Sequence, residues 1–190
     1  MKHTMKTVLL TALMATTGVL CAQNSKTTTK IKPSGIEMVE TLNEDGTDLI
    51  KRPYRWFAGM AEADVESIAL KMAQLEAYAT ISQVIENAVF AESERKALVM
   101  DGESRRALTL HWKQVSSSIQ RACEPFGEAE STFDEKTGLY HVTAKVGIRG
   151  DRYIKLLDGA ANFKPANLSG DDLQKFIDAN QAIINASKGN

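Results

Sequence analysis

An alanine-rich run, from about Ala61 to about Phe90, restricts the fold more than any other part of the sequence. Apolar residues recur in it at steps of three and four, which predicts one long amphipathic helix. The apolar stripe consists of Val65, Ile68, Ala69, Met72, Leu75 and Ala79. A second set widens this stripe: Ala73, Ala77, Ile81, Val84, Ile85 and Ala88. Because alanine is small, another layer can approach the helix closely, and we expect the domain to be organised around it.

The clearest strand signal is a strict alternation of residue types near position 140. Its apolar members are Tyr140, Val142, Ala144, Val146 and Ile148, and they alternate with His141, Thr143, Lys145, Gly147 and Arg149. This period of two predicts a strand with one covered face and one mostly polar face. Asp134 to Gly138 are interpreted as a hairpin turn before it. The segment from Ile119 to Phe133 is interpreted as an edge or bulged strand, because Pro125 and Gly127 interrupt it.

Two further strand regions are predicted upstream of the long helix. Tyr54 to Gly59 form a short aromatic strand candidate, and Pro53 restricts the backbone just before it. Gly35 to Arg52 show weak alternation around the turn-like residues Asn43 to Gly46, which is compatible with a short hairpin.

Shorter helices are predicted after the long one. Beyond a break at Asp101-Gly102, one apolar face is formed by Leu108, Trp112, Val115 and Ile119. The serines at 116–118 are expected to end this helix, since serine competes for backbone hydrogen bonds. A short helix is predicted from Asp151 to Leu157, and Ser169 is expected to cap a final helix. The apolar side of that final helix comprises Leu173, Phe176, Ile177 and Ile184.

The composition fits one globular domain with a proper core. The chain has 190 residues, 43% of them hydrophobic and 25% charged, with a formal net charge of −1. These values exclude collagen-like, disulfide-dense and strongly charged disordered classes, and argue against a nucleic-acid partner. The predicted fold class is α+β, with a long alanine-rich helix packed on a small antiparallel sheet and shorter helices including a C-terminal one. We assign residues 35–160 to this domain and residues 161–190 to a C-terminal helix that docks on it.

The N-terminus has the features of a secretory signal peptide over residues 1–22. Two lysines precede an apolar run from Thr7 to Leu20, and cleavage is predicted after Ala22. This run is too short for an ordinary membrane span and no later stretch is apolar enough, so no transmembrane span is expected after signal removal. Residues 23–34 are polar and basic and are interpreted as a flexible tether.

Cys21 leaves a second interpretation open, in which a bacterial lipoprotein signal is lipidated at this cysteine. Such a signal prefers a Leu-like residue three places before the cysteine and a small residue directly before it, whereas Gly18 and Leu20 have the reverse order. Simple cleavage therefore ranks first, and membrane anchoring is expected only if Cys21 is lipidated. The mature chain then keeps one cysteine, Cys123, which cannot form an internal disulfide.

The sequence carries no catalytic or metal motif that we can identify. Glycine-rich phosphate loops, HExxH, GxSxG and CxxC pairs are all absent from it. His111 or His141 could act with Cys123 as a nucleophilic pair, but ordinary surface or boundary histidines are the better interpretation. No catalytic residue, metal or other cofactor is therefore predicted.

Three local clusters could bind a ligand but have simpler interpretations. They are the acidic Glu62, Asp64 and Glu66, the basic Arg105, Arg106 and Lys113, and the aromatic Tyr54, Trp56 and Phe57. The carboxylates are spaced two apart, which spreads them around a helix instead of converging them on a cation. The basic cluster is interpreted as a solvated helical face, and the aromatic cluster as part of the core.

The order of these features resembles the LPP20-type domain of bacterial envelope lipoproteins, which is related to the N-terminal domain of outer-membrane flagellar assembly proteins. The similarity lies in the segment from Trp56 to Asp64, in the alanine-rich helix after it, and in the strand from Gly138 to Val146. It covers about Tyr54 to Leu157. The resemblance implies a small α+β domain in the bacterial envelope, with a helix against an antiparallel sheet, and it transfers no catalytic residue.

These observations predict an exported cell-envelope protein, periplasmic or associated with the cell surface, that acts as a binding or assembly module without catalytic activity. The expected contact surface is the polar side of the alternating strand, formed by His141, Thr143, Lys145 and Arg149, or the edge of the bulged strand. An envelope protein is the expected partner. The alternative function is a small exported hydrolase or ligand-binding protein that uses His111 or His141 with Cys123.

Overall fold

A computed structural model of the chain describes residues 32–95 and 101–189. This part of the chain forms five strands and four helices. They are β1 (Ser34–Leu42), β2 (Leu49–Ala63), α1 (Glu66–Arg95), α2 (Gly102–Ala122), β3 (Glu124–Pro125), β4 (Glu130–Asp134), β5 (Leu139–Arg149), α3 (Gly150–Ala161) and α4 (Gly170–Gly189). The predicted α+β class, with a long helix on a small antiparallel sheet, is confirmed. The signal peptide, its cleavage point and Cys21 lie outside the described residues, as does most of the predicted tether, and β1 already begins at the last tether residue.

The sheet is antiparallel throughout, with β2 between β1 and β5. Both β3 and β4 pair with the other edge of β5. Between them, the chain advances from Pro125 to Glu130 while β5 moves only from Val146 to Thr143, so extra residues bulge out. Gly127 lies in this bulge with a φ of 68°, a conformation that glycine adopts without strain. The interrupted edge strand is thus present from Glu124 onward in the segment predicted for it, and the residues before Glu124 are not in a strand.

The long helix faces the sheet with a different side from the one that hydrophobicity alone suggests. Its buried apolar residues are Ala69, Ala73, Ala77, Ile81, Ile85 and Val89, while Val65, Ile68, Met72 and Leu75 are exposed. The reason is the close approach of the helix to Gly59 of β2, where an added Cβ would lie 2.2 Å from both the Ala73 carbonyl oxygen and the Ala77 nitrogen. Only small side chains fit such a contact, so four of the six residues in the predicted stripe point to solvent instead of the core.

The predicted start of this helix is also wrong, because the strand before it is longer. Ala61 pairs with Val142 and Ala63 pairs with Tyr140, so the ladder between β2 and β5 holds these residues in extended conformation. The helix begins only at Glu66. Tertiary strand pairing has overridden the helical preference of alanine here.

The helix α2 confirms the predicted apolar face but continues past the serines. Leu108, Trp112, Val115 and Ile119 are buried, whereas the expected strand at Ile119 does not form and the helix runs to Ala122. Two of the three serine hydroxyls have partners within the helical packing, since the Ser116 Oγ lies 3.1 Å from the Ser82 Oγ and the Ser118 Oγ donates to the Gln114 carbonyl. These hydroxyls therefore do not disrupt the backbone hydrogen bonds of the helix, which continues through the serines.

One large core joins the sheet to the described helices. It combines residues from every layer, including Phe57 and Val146 of the sheet, Trp112 of α2, Leu157 of α3 and Phe176 of α4. A smaller cluster of Ala69, Ala73, Val142 and Ala144 continues it along α1. The helices α1 and α3 pack on one face of the sheet, and α2 and α4 pack against these two helices, so none of the described helices covers the opposite face.

Candidate functional site

We call the side of the sheet away from the helices the open face. Strand alternation places on it Tyr54, Trp56, Ala58, Met60 and Glu62 of β2, and His141, Thr143, Lys145, Gly147 and Arg149 of β5. The four side chains predicted as a binding surface therefore share one face, and each is half-buried instead of fully exposed. The alternating apolar set of β5 points the other way, into the core.

The middle of the open face is an aromatic and cationic cluster built on two glycines. The Lys145 Nζ lies 4.9 Å from the centre of the Trp56 ring, within the range of a cation–π interaction. Trp56 packs closely against Gly35 of β1, where an added Cβ would come within 2.6 Å of the indole. Lys145 pairs with Ala58 across the strands, so Trp56 is its diagonal neighbour and the small Ala58 leaves room for the contact.

An aromatic pair, Tyr54 and Phe126, flanks this cluster. Tyr54 stacks on Phe126 of the bulge with ring centres 5.5 Å apart. Phe126 in turn covers Gly147, where a Cβ would meet its ring at 2.8 Å. These rings and the neighbouring Arg149 line a cleft of about 540 Å³ beside the bulged edge. The glycines at 35 and 147 thus let three aromatic rings lie on the sheet surface.

Arg149 is held by its neighbour along the chain. The Arg149 Nε donates to the Asp151 Oδ1 at 2.7 Å, and Nη2 donates to the other carboxylate oxygen. This hydrogen-bonded ion pair raises the pKa of Arg149 and lowers the pKa of Asp151. Both charged groups remain in contact with solvent, so the pair orients the guanidinium at the end of β5 without contributing much to stability.

The other end of the open face is acidic. The His141 Nδ1 lies 3.0 Å from the Glu62 Oε1, and Nε2 lies 3.9 Å from the Asp134 Oδ2. The pKa of Asp134 is lowered mainly by the backbone N–H of Lys136, which donates to its carboxylate. Thr143 follows His141 on the same face, between Met60 on β2 and Glu130 on β4. The predicted surface therefore divides into a basic aromatic part and an acidic part.

The structure does not bring Cys123 together with either histidine. Cys123 caps the end of α2 and is buried, and burial raises the pKa of its thiol to about 12. His111 is twelve residues earlier on the same helix, about 18 Å away along the axis at 1.5 Å per residue. Its Nε2 lies 3.1 Å from the Ala160 carbonyl oxygen, and its ring stacks on Phe163. His141 lies on the open face. The three side chains therefore lie in three different parts of the structure and do not form a nucleophilic pair.

The acidic, basic and aromatic clusters noted in the sequence lie in different parts of the structure. Glu62 lies at the end of β2, Asp64 in the connection and Glu66 at the start of α1, and all three are exposed. Among the described residues, no group of three or more His, Cys, Asp or Glu side chains is arranged to hold a metal ion. Arg105, Arg106 and Lys113 are exposed on α2, as expected. Of the aromatic cluster only Phe57 is in the core, because Tyr54 and Trp56 alternate onto the open face.

The sequence pattern indicated Trp56 as a possible binding residue but favoured the core for it, and it gave no indication of Phe126 or of the glycines beneath these rings. The signal was present in β2, where Tyr54 and Trp56 alternate with Arg55 and Phe57. Pairing the segment with β5 would have placed Trp56 next to Lys145.

Within the described ranges, no helix combines the length and hydropathy that crossing a membrane requires. No family model matches the chain, and it has no match among curated proteins or solved structures.

Proposed function

We propose that this protein is an exported binding or assembly module of the bacterial cell envelope, without catalytic activity, and that it binds an envelope protein through the open face. The observation that carries the proposal is the cluster of Trp56, Lys145, Tyr54 and Phe126 on a sheet face that the described helices leave uncovered. Tyr, Trp and Arg are the residues that most often dominate the binding energy of protein interfaces, and the open face presents one of each in Tyr54, Trp56 and Arg149.

The edges of the sheet support the same proposal. Among the described strands, β1 and the interrupted β3–β4 segment each pair on one side only. An unpaired edge can accept a strand from a partner. A partner strand at the β3–β4 edge would lie beside the Tyr54–Phe126 pair and would extend the open face.

The resemblance to LPP20-type domains supports the proposed location. The chain follows the order that the resemblance implies, an aromatic strand, a long alanine-rich helix, a helical connection and a hairpin. Export by residues 1–22 and, only if Cys21 is lipidated, anchoring in a membrane belong to this proposal. The buried Cys123 argues for a non-catalytic role, because a thiol with a pKa of about 12 stays protonated near neutrality.

Site-specific photo-crosslinking in the native cells tests the contact surface. A photoreactive phenylalanine analogue replaces Met60, an exposed residue of the open face. We expect one discrete protein adduct in the envelope fraction. Changing Lys145 and Arg149 together to alanine should remove it, because these cations belong to the proposed contact surface.

The matched control places the same analogue at Leu75, which is more exposed but lies on the outer side of α1. An adduct that forms equally at both positions, or that survives the double alanine change, would show that the open face is not the contact surface. The mass of the mature protein from the same fraction tests export. A chain that begins at Gln23 supports simple cleavage, a lipidated Cys21 supports anchoring, and an unprocessed chain in the cytoplasm contradicts the proposal.

A further inference from the structure

A buried arginine lies on the side of the sheet opposite the open face. Arg55 is a β2 residue paired with Ile36 of β1, and only 3% of it is exposed. Its Nη2 donates to the Ser34 Oγ at 3.2 Å. The guanidinium carbon lies 5.7 Å from the centre of the Phe57 ring and 5.9 Å from that of Tyr153. The side chain is therefore fixed between the sheet and α3.

This guanidinium is not electrostatically compensated. The Nε and Nη1 atoms of Arg55 are buried without a hydrogen-bond partner, and they carry three of the five N–H bonds of the group. Within residues 32–95 and 101–189, no carboxylate forms an ion pair with it. Burial correspondingly lowers the pKa of Arg55, with desolvation as the largest cause. A buried charge without a counter-ion is costly, and native proteins normally supply one.

A cavity of about 190 Å³ adjoins this arginine. Its walls are mainly apolar, with Ile36, Pro53 and Ile154 among them. Two other polar side chains of the lining, those of Lys188 and Tyr153, already have partners in the protein. The Lys188 Nζ lies 2.7 Å from the Asp158 Oδ1, and the Tyr153 hydroxyl donates to the Ser187 carbonyl oxygen at 3.3 Å. Arg55 is thus the one cation of this lining, among the described residues, that lacks a counter-ion.

We propose that this cavity binds a carboxylate carried on a short aliphatic chain, with the carboxylate paired to Arg55. One uncompensated positive charge calls for a single negative charge, which a carboxylate supplies with oxygens suited to the guanidinium N–H groups. The apolar walls favour a hydrocarbon body. A phosphate fits less well, because its second charge and further oxygens would face Ile36 and Ile154. The site lies across the sheet from the open face and does not depend on the function proposed for that face.

Two sources carry this chemistry, a free short-chain carboxylic acid and the carboxyl terminus of a peptide. The probes are acetate, butyrate and hexanoate for the first source, and a dipeptide ending in leucine, with a free or an amidated carboxyl group, for the second. Butyramide and inorganic phosphate serve as the uncharged and the multiply charged comparison. The measurement is the unfolding temperature of the chain from residue 23, titrated at constant ionic strength, together with the ¹⁵N–¹H resonance of the Arg55 Nε.

We expect a saturable rise in unfolding temperature and a shift of the Arg55 resonance with butyrate. Affinity should increase about fourfold for each methylene group while the cavity still holds the chain. Saturation by the free dipeptide but not by its amide would identify a peptide terminus as the source. Saturation by fatty acids alone would identify a small molecule.

Two variants keep the test independent of folding. Arg55→Met should abolish the response to butyrate without lowering the unfolding temperature of the free protein, since it removes an uncompensated buried charge and keeps a similar volume. Ile154→Trp should abolish the response by filling the cavity while Arg55 stays in place. Arg121→Met, which alters an exposed arginine of α2, should respond like the unchanged protein.

Three results would overturn the proposal. The first is the absence of saturation with any carboxylate at the highest soluble concentration, which would mean that water alone solvates Arg55. The second is an equal response to butyramide or phosphate. The third is a response that persists in both Arg55→Met and Ile154→Trp.

Discussion

At the scale of single residues, burial determines the charge states of Cys123 and His111, two of the side chains considered as catalytic candidates. The Cys123 thiol is buried in the core and its pKa is raised to about 12. The His111 ring is buried between Phe163 and the core, and desolvation lowers its pKa. Both side chains are therefore held neutral near pH 7, where the alternative catalytic hypothesis needs a thiolate.

We expect Cys123 to react slowly with iodoacetamide in the folded protein at mildly alkaline pH, because alkylation requires an accessible thiolate. In denaturant the thiol should react at the rate of a free cysteine added to the same sample. The chain from residue 23 has no other cysteine, so mass spectrometry reports this site alone. Rapid alkylation of the folded protein would instead favour the alternative with a nucleophilic Cys123.

His111 should make stability depend on pH. Its pKa in the folded protein lies below the ordinary value of 6.5, so the unfolded chain binds the proton more readily. The contribution of neutral His111 to folding stability is fully present above the pKa that His111 has in the unfolded chain. This contribution is lost as the pH falls from there toward the pKa of His111 in the folded protein. Urea unfolding at pH values on both sides of this window measures the effect. His111→Gln, which retains a donor toward the Ala160 carbonyl, should lose less stability on acidification, and an equal loss would contradict the assignment.

At the scale of secondary-structure elements, packing distance decides which side of a helix is buried. Hydrophobicity favours the side of α1 with Ile68, Met72 and Leu75, yet the sheet contacts the side with Ala69, Ala73 and Ala77. Gly59 makes this close contact possible, because the α1 backbone occupies the position of its absent side chain. The exposed apolar stripe of α1 follows from the same contact.

Gly59→Ala should destabilise the protein by about 1–3 kcal/mol, the usual cost of overpacking, because the new methyl group meets helix backbone that cannot move aside. Gly159→Ala is the matched control in α3, where an added Cβ has nothing within 4 Å. That change should stabilise the protein by less than about 1 kcal/mol through helix propensity, since Gly159 lies in the last turn of α3. Chemical denaturation measures both. Similar free energies of unfolding for the two variants would mean that α1 does not approach the sheet as closely as described.

At the scale of the whole molecule, the described helices and the sheet share one core. Phe176, Ile183 and Ile184 of α4 belong to the same cluster as Trp112 and Phe57. The Asn180 side chain also donates from α4 to the Ala160 carbonyl, close to His111. The C-terminal helix is therefore integrated in the core and is not an appendage on its surface.

Unfolding should consequently be a single cooperative transition. In Trp56→Phe the fluorescence reports only on the buried Trp112, and its denaturation midpoint should coincide with that of helical circular dichroism. Phe176→Ala should lower both midpoints together, at a cost of about 3–5 kcal/mol. An early loss of helical signal with Trp112 still native would show that α4 unfolds separately.

The sequence predicted the elements whose signal is local. The alternation around Val142 and Val146, the turn from Asp134 to Gly138 and the face of α2 around Trp112 are all present. It also predicted that His141, Thr143, Lys145 and Arg149 share one face, because side chains alternate along any strand. These inferences need only the geometry of one segment.

The tertiary structure decided the contacts between segments far apart in the chain. It set the rotation of α1 against Gly59, the placement of Lys145 over Trp56 and the burial of Arg55 beside Tyr153. Each depends on which strands pair and on how closely two layers approach. Periodicity in the sequence identifies the apolar surfaces that can be buried. The distance between the packed layers then determines which side chains are buried, and in α1 the close approach of the sheet buries alanines instead of larger apolar residues.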